Sequence, residues 1–132
     1  MHITETQKAS LKLKLEKFLT AAENFDCQKY GDFFTAEAVK IDPNGSEPVS
    51  GRHAIVERFK SKRIGKIKSW RIHRDDMYFS GKGAALLWRV DLETKSGEKS
   101  YYEGIDIFEF NDEGLCNSMV TFPRKSEKAT GR

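Results

Sequence analysis

Residues 84–122 read "AALLWRVDLETKSGEKSYYEGIDIFEFNDEGLCNSMVTF". Three segments of this stretch, 84–94, 99–110 and 115–122, have the length of strands and are rich in β-branched and aromatic residues. The links "KSGEK" and "NDEG" combine glycine with short polar neighbours, which is the composition of hairpin turns. One step upstream, "KIKSWRIHRDDMYFS" (66–80) joins the series through "SGKG" (80–83). Four strands joined by tight turns predict an antiparallel meander that fills the second half of the chain.

Alternation sorts the faces of these strands. Tyr102, Gly104, Asp106, Phe108 and Phe110 share one side, and Tyr101, Glu103, Ile105, Ile107 and Glu109 the other. In the preceding strand Leu86, Trp88, Val90 and Leu92 point together, opposite Arg89, Asp91 and Glu93. A carboxyl group on the side of two phenylalanines admits two readings. If buried, Asp106 stays protonated, because an unpaired ionised carboxylate costs several kcal/mol in an apolar site. At an open rim it is simply solvated.

Toward the N-terminus the period changes. Leu11, Leu15, Phe18, Ala22 and Phe25 recur at steps of four and three and predict a helix over 4–25, with Thr4 and Gln7 as its capping box. Asp26 is placed to cap a second helix through "CQKYGDFFT" (27–35), whose apolar side is Tyr30, Phe33 and Phe34. "AVKID" (38–42) reads as a brief strand and "PNGSEPVSG" (43–51) as a turn. Ser50 is placed to cap a third helix, "RHAIVERFKSKR" (52–63), on which Ile55 and Phe59 lie one turn apart. Three helices followed by a curved antiparallel sheet make an α+β domain. With no repeat, low-complexity segment or linker, residues 1–124 are expected to form one domain and 125–132 a flexible basic tail.

Composition narrows the function classes. Hydrophobic residues make up 38% of the 132, which suits a packed core and not a disordered chain. The 23 basic and 20 acidic residues are spread along the chain, and "KSKRIGKIK" (60–68) is read as a cationic helix end, so no nucleic-acid partner is expected. No apolar run approaches a membrane span, and Cys27 and Cys116 stand far apart without a secretory leader. A cytoplasmic protein with free thiols and no membrane partner is the expectation. His2, His53 and His73 form no metal pair and "GKG" (81–83) is not a nucleotide loop, so neither a metal nor a cofactor is expected.

Asp42 ends the apolar run "AVKI" and stands directly before the proline-led turn. Aspartate starts turns well, but an acid at a strand end is also a common place for a catalytic base. The surrounding "IDPNGSEPVSGRHAI" (41–55) resembles the "EDPxGSEPxSGxxAI" segment of the Δ5-3-ketosteroid isomerases, and "GIDIFEFNDEG" (104–114) resembles their late strand. The resemblance runs from the first helix to Phe122. It implies the cone-shaped fold of the nuclear transport factor 2-like superfamily, in which helices close over a curved sheet around one deep apolar pocket. It also implies that Asp42 is the general base, removing a proton from the carbon next to a ketone. Asp106 would be the protonated acid that donates to the enolate oxygen.

Two positions depart from the family pattern. Phe18, 24 positions before Asp42, stands where the family carries its principal oxyanion-donating tyrosine, and Phe59 stands where a second, supporting tyrosine is found. Losing one such donor costs on the order of 3 kcal/mol of transition-state stabilisation. Tyr102 shares the face of Asp106 but lies roughly 13 Å along the strand. Tyr78 and His73 are further candidate donors. The expected pocket wall is Phe18, Phe34, Phe59, Trp88, Met119 and Phe122. Three functions then compete: a double-bond isomerase, or a related polyketide or terpenoid cyclase or dehydratase, acting on an apolar carbonyl ligand; a non-catalytic module binding a small apolar ligand; and a protein-interaction adaptor. The two acids favour the first. The outer strip of Tyr101, Ile105 and Ile107 is expected to be buried in a homodimer.

Overall fold

The computed structural model describes residues 3–125, with the side chains of Asp75 and Lys125 set aside. The expected basic tail therefore lies, beyond Lys125, outside the described residues. Helix α1 spans Glu5–Glu23 and α2 spans Cys27–Asp32. Strands β1 (Phe34–Ile41) and β2 (Val49–Ser50) follow, then α3 (Arg52–Phe59), which runs into a π-helical turn over Lys60–Ile64. Strands β3 (Ile67–Ser80), β4 (Gly83–Thr94), β5 (Lys99–Phe110) and β6 (Cys116–Lys125) complete one six-stranded sheet in the order β2-β1-β6-β5-β4-β3. The meander β3–β6 is antiparallel, as the turn chemistry implies, whereas β1 joins β6 in parallel, so the sheet is mixed.

Local chemistry explains most boundaries. At the start of α1, Gln7 N donates to Thr4 Oγ1 (3.0 Å) and Thr4 N to Gln7 Oε1 (2.9 Å), which closes the expected box. The helix stops at Glu23, two residues short of the expected end: Phe25 takes a left-handed φ of 56° and stacks on Trp70, and Asp26 then caps α2 through Lys29 N. Helix α2 ends at Asp32, not Thr35, because the sheet claims the backbone beyond it. Cys116 N donates to Phe33 O, and the Arg52 guanidinium donates twice to Phe34 O (3.0 and 2.7 Å). Ser50 is not the cap of α3. It pairs with Val39 in β2, and Gly51, at φ 95°, occupies the cap position without a side-chain bond.

The helices cover the concave face of the sheet. Leu15, Phe34, Ile55, Leu86, Phe108 and Cys116 are fully buried between the layers. The register break in β3 between His73 and Asp76 accompanies a clamp on α1. Arg74 Nη2 donates to Glu23 Oε1 (2.6 Å) and Nη1 to Thr20 Oγ1 (3.2 Å), while Glu23 Oε2 accepts from Ile72 N (2.6 Å). Among the described residues no helix is long and apolar enough to cross a membrane.

Candidate active site

Strand β1 delivers the first acid. Asp42 follows its last residue, and the π-helical turn after α3 carries Arg63 to it, with Nη2 3.1 Å from Asp42 Oδ2. A π-turn adds a residue to the helical circuit and re-aims the side chains on it. Arg63, which the sequence pattern reads as part of a cationic helix end, lies on this turn and pairs with Asp42. Asp42 is partly open, with 21% of its side chain exposed, so the pair faces both water and the cavity.

Strand β5 delivers the second acid. Asp106 lies between Leu86 on β4 and Thr121 on β6 and is 6% exposed, which decides for the buried reading over the solvated one. Trp88 reaches the same place because Gly104, its partner across β5, has no side chain. A Cβ there would lie 2.5 Å from Trp88 Cζ2 and 2.6 Å from Phe122 O. Asp106 Oδ1, Trp88 Nε1 and Thr121 Oγ1 are all buried without a hydrogen-bond partner. Burial raises the Asp106 carboxyl from 3.8 to about 6, against the opposing pull of Thr121 Oγ1, Trp88 Nε1 and the Lys40 charge; the negative charge of Asp42 adds to the rise. The indole and the hydroxyl stand near enough to polarise the carboxyl, yet neither completes a bond with it.

Both acids line one cavity of about 470 Å³ between the helices and the sheet. Of the expected wall, Phe18, Phe59, Trp88 and Met119 line it. Phe34 does not: it is fully buried behind Phe18, edge-on to that ring at 5.5 Å. Phe122 does not either. It is 46% exposed on the outer face, opposite Ile105, because residues 119, 121 and 123 of β6 face inward and an even-numbered position between them cannot. Tyr102 lines the cavity, whereas Tyr78 is exposed and His73 bonds Asp91 at 3.0 Å on the far side of the sheet. Tyr101, expected in the outer exposed strip, is buried in a groove with Arg71 and Asp91.

Sequence reasoning missed three polar members of the site. The sequence pattern places Arg63 in the basic cluster, Tyr30 in the apolar packing of α2 and Lys40 in an ordinary strand. Lys40 Nζ donates to Tyr30 Oη at 2.9 Å, and both residues line the cavity. The available signal for Lys40 was its spacing of two from Asp42 on a strand, which puts both on one face. Exposed Lys62, Glu98 and Pro123 mark the opening, and buried Leu19, Asp106 and Met119 the floor. Among the described residues no group of His, Cys, Asp and Glu could hold a metal ion.

Residues 15–118 match the SnoaL-like domain. The chain superposes with a TM-score of 0.78 on SalBIII, an epoxide hydrolase/cyclase-like enzyme of pyran ring formation in the polyether salinomycin. The two are 20% identical, and the match covers 92% of this chain and 95% of that one. A putative SnoaL-like polyketide cyclase from Shewanella denitrificans gives a TM-score of 0.77 at 10% identity, covering 92% and 93%. A Mycobacterium tuberculosis protein in complex with estradiol-17β-hemisuccinate gives 0.73 at 16% identity, covering 83% and 90%. At these identities the likeness shows a shared fold, the nuclear transport factor 2-like cone. No curated protein matches the chain.

Proposed function

This chain belongs to the SnoaL-like family, and on that premise we propose that its cavity is an active site where Asp42 removes a proton from the carbon beside a ligand carbonyl. The observation that carries the reading is the contrast between two identical side chains in one apolar cavity. Asp42 is partly exposed and paired with Arg63, whereas Asp106 is buried, raised to about 6 and flanked by two polar groups without partners. Opposite environments suit opposite roles: a base that is ionised, and an acid that donates to oxygen.

The chemistry balances without a cofactor. Asp42 takes the C–H proton, the bonding electrons move toward the carbonyl oxygen, and Asp106, while protonated, donates a hydrogen bond to the enolate that forms. Return of the proton at the far end of a conjugated system completes a double-bond shift. Attack of the enolate carbon on a second carbonyl of the same ligand closes a ring. The match to the SnoaL-like domain and the fold shared with a putative polyketide cyclase favour keeping this cyclase outcome beside the isomerase one. Both begin at Asp42. A cavity of about 470 Å³ lined by Phe18, Phe59, Trp70 and Trp88 suits a small polycyclic or extended apolar carbonyl compound.

The test is conversion of a β,γ-unsaturated 3-ketosteroid to its conjugated isomer, followed by ultraviolet absorbance, with Asp42→Asn run beside the wild type. Turnover by the wild type that falls at least a hundredfold in the variant is expected of the isomerase outcome. Equal rates would remove Asp42 from the chemistry. Silence in both, reversed by Phe18→Tyr, would mark a lapsed isomerase, and continued silence would favour the cyclase outcome or a binding module.

A further inference from the structure

The cavity holds a second polar pair that the two-acid scheme does not use. Lys40 precedes Asp42 by two residues, and both line the cavity. Lys40 Nζ donates to Tyr30 Oη (2.9 Å) and lies 5.6 Å from the centre of that ring. Tyr30 is itself held firmly: it is buried, stacked on Phe59 at 3.9 Å and 9°, and tilted against Phe18 at 4.8 Å. Phe18 and Phe59, which the resemblance to ketosteroid isomerases aligns with tyrosines, are thus rings that grip Tyr30.

An ammonium has three donors. Among the described residues one of those of Lys40 is engaged, by Tyr30, and the others are available to the cavity. The other cations of the lining are differently placed: Arg63 is engaged by Asp42, and Lys62 is exposed at the opening. Lys40 therefore presents positive charge inside the cavity, and that charge acts on Asp106. A second donor station lies nearby. Lys40 pairs with Met119 on β6, two residues from Thr121, which pairs with Asp106. Two residues along a strand are roughly 7 Å, within the span of a lysine side chain. Thr121 Oγ1 and Trp88 Nε1 are buried there without partners.

Two donor stations, one of them cationic, match an anion that spreads its charge over two oxygens. We propose that Lys40, positioned by Tyr30, binds one oxygen of a ligand enolate while protonated Asp106, with Thr121 and Trp88 beside it, serves the other, and that the pocket accepts 1,3-dicarbonyl compounds. This rests on the proton-abstraction reading and names its substrate class. Asp42 takes the proton from the carbon between the carbonyls, and the electron pair is shared by the two oxygens, one beside the Lys40 ammonium. A charge-assisted bond in a water-poor cavity is stronger than a neutral one.

The experiment titrates benzoylacetone, whose enolate has its own ultraviolet band, into the intact protein across pH, with butyrophenone as the one-carbonyl control. Bound benzoylacetone is expected to ionise at a pH about one unit or more below that of the free compound. Lys40→Met should abolish this change and weaken benzoylacetone binding about tenfold or more, and by clearly more than it weakens butyrophenone binding. Lys40→Arg, which keeps the charge, should retain much of the effect, and Tyr30→Phe should lose part of it, both with wild-type circular dichroism. If Lys40→Met ionises the bound diketone as the wild type does, with butyrophenone still bound, the Lys40 assignment falls and the proton-abstraction site stands. Failure of the wild type to bind either ketone overturns both. A covalent adduct on Lys40, seen by mass spectrometry, also overturns the assignment, since the amine would then be a nucleophile.

Discussion

Asp106 is where residue chemistry and stability meet. Its carboxyl is raised from 3.8 to about 6, chiefly by burial, so the folded state binds a proton more tightly than the unfolded chain does. The associated stability is fully present below 3.8 and is lost as the pH rises through about 6. A rise of that size corresponds to about 3 kcal/mol. Asp106→Asn removes the titration, so its stability relative to wild type should increase by roughly 2 kcal/mol between pH 4, where the unfolded carboxyl is already partly ionised, and pH 7, measured by urea unfolding at each pH. A pH-independent difference would mean that Asp106 is not held up by burial. For the proposed reaction with Asp106 as donor, kcat/KM should fall as pH rises through about 6 in the free protein. Alternation alone put Asp106 with Phe108 and Phe110, and so located this acid. The same rule, applied to β6, excludes Phe122 from a wall that contains Met119, three residues away. Burial of Asp106 was not legible, because it depends on which layer covers that face.

At the scale of elements, the hairpins and the first helix were readable because their determinants are local: glycine turns, two-residue periodicity and a capping box. The end of α2 and the start of β1 were not. The sequence "FFT" favours either state, and the choice is made by Cys116 and Arg52, which bond the carbonyls of Phe33 and Phe34 from far along the chain. Nor could the π-turn that brings Arg63 to Asp42 be seen, since a helical period predicts a regular helix through residue 63. The clamp between α1 and β3 is equally non-local and carries a prediction. Arg74→Ala leaves Glu23 partly buried without its partner at 2.6 Å, and should cost about 2 kcal/mol in urea unfolding. A loss below about 0.5 kcal/mol would show that the pair behaves as an exposed surface bridge.

At the scale of the whole molecule, the convex face of the sheet has an apolar centre. Leu87, Ile105 and Phe122 form one row across β4, β5 and β6, and Ala85, Ile107 and Val120 the next. Ile105 and Ile107 are each 40% exposed. We propose that a second copy of the chain covers this face, because the flanking row of His73, Arg89, Glu103 and Arg124 carries both charge signs and can complement itself about a two-fold axis. Sedimentation should give about twice the 15.1 kDa chain mass for the wild type and the single mass for Ile105→Glu; a monomeric wild type would rule the arrangement out.

Hydrogen exchange into solvent reports whether Asp42 moves a proton on carbon, whatever step follows. A saturated 3-ketosteroid is incubated in D2O with wild type and with Asp42→Asn, and deuterium beside the carbonyl is followed by mass spectrometry. Catalysed incorporation by the wild type is expected, falling to the uncatalysed rate in the variant. Incorporation at the same rate with both proteins would remove Asp42 from the proton transfer.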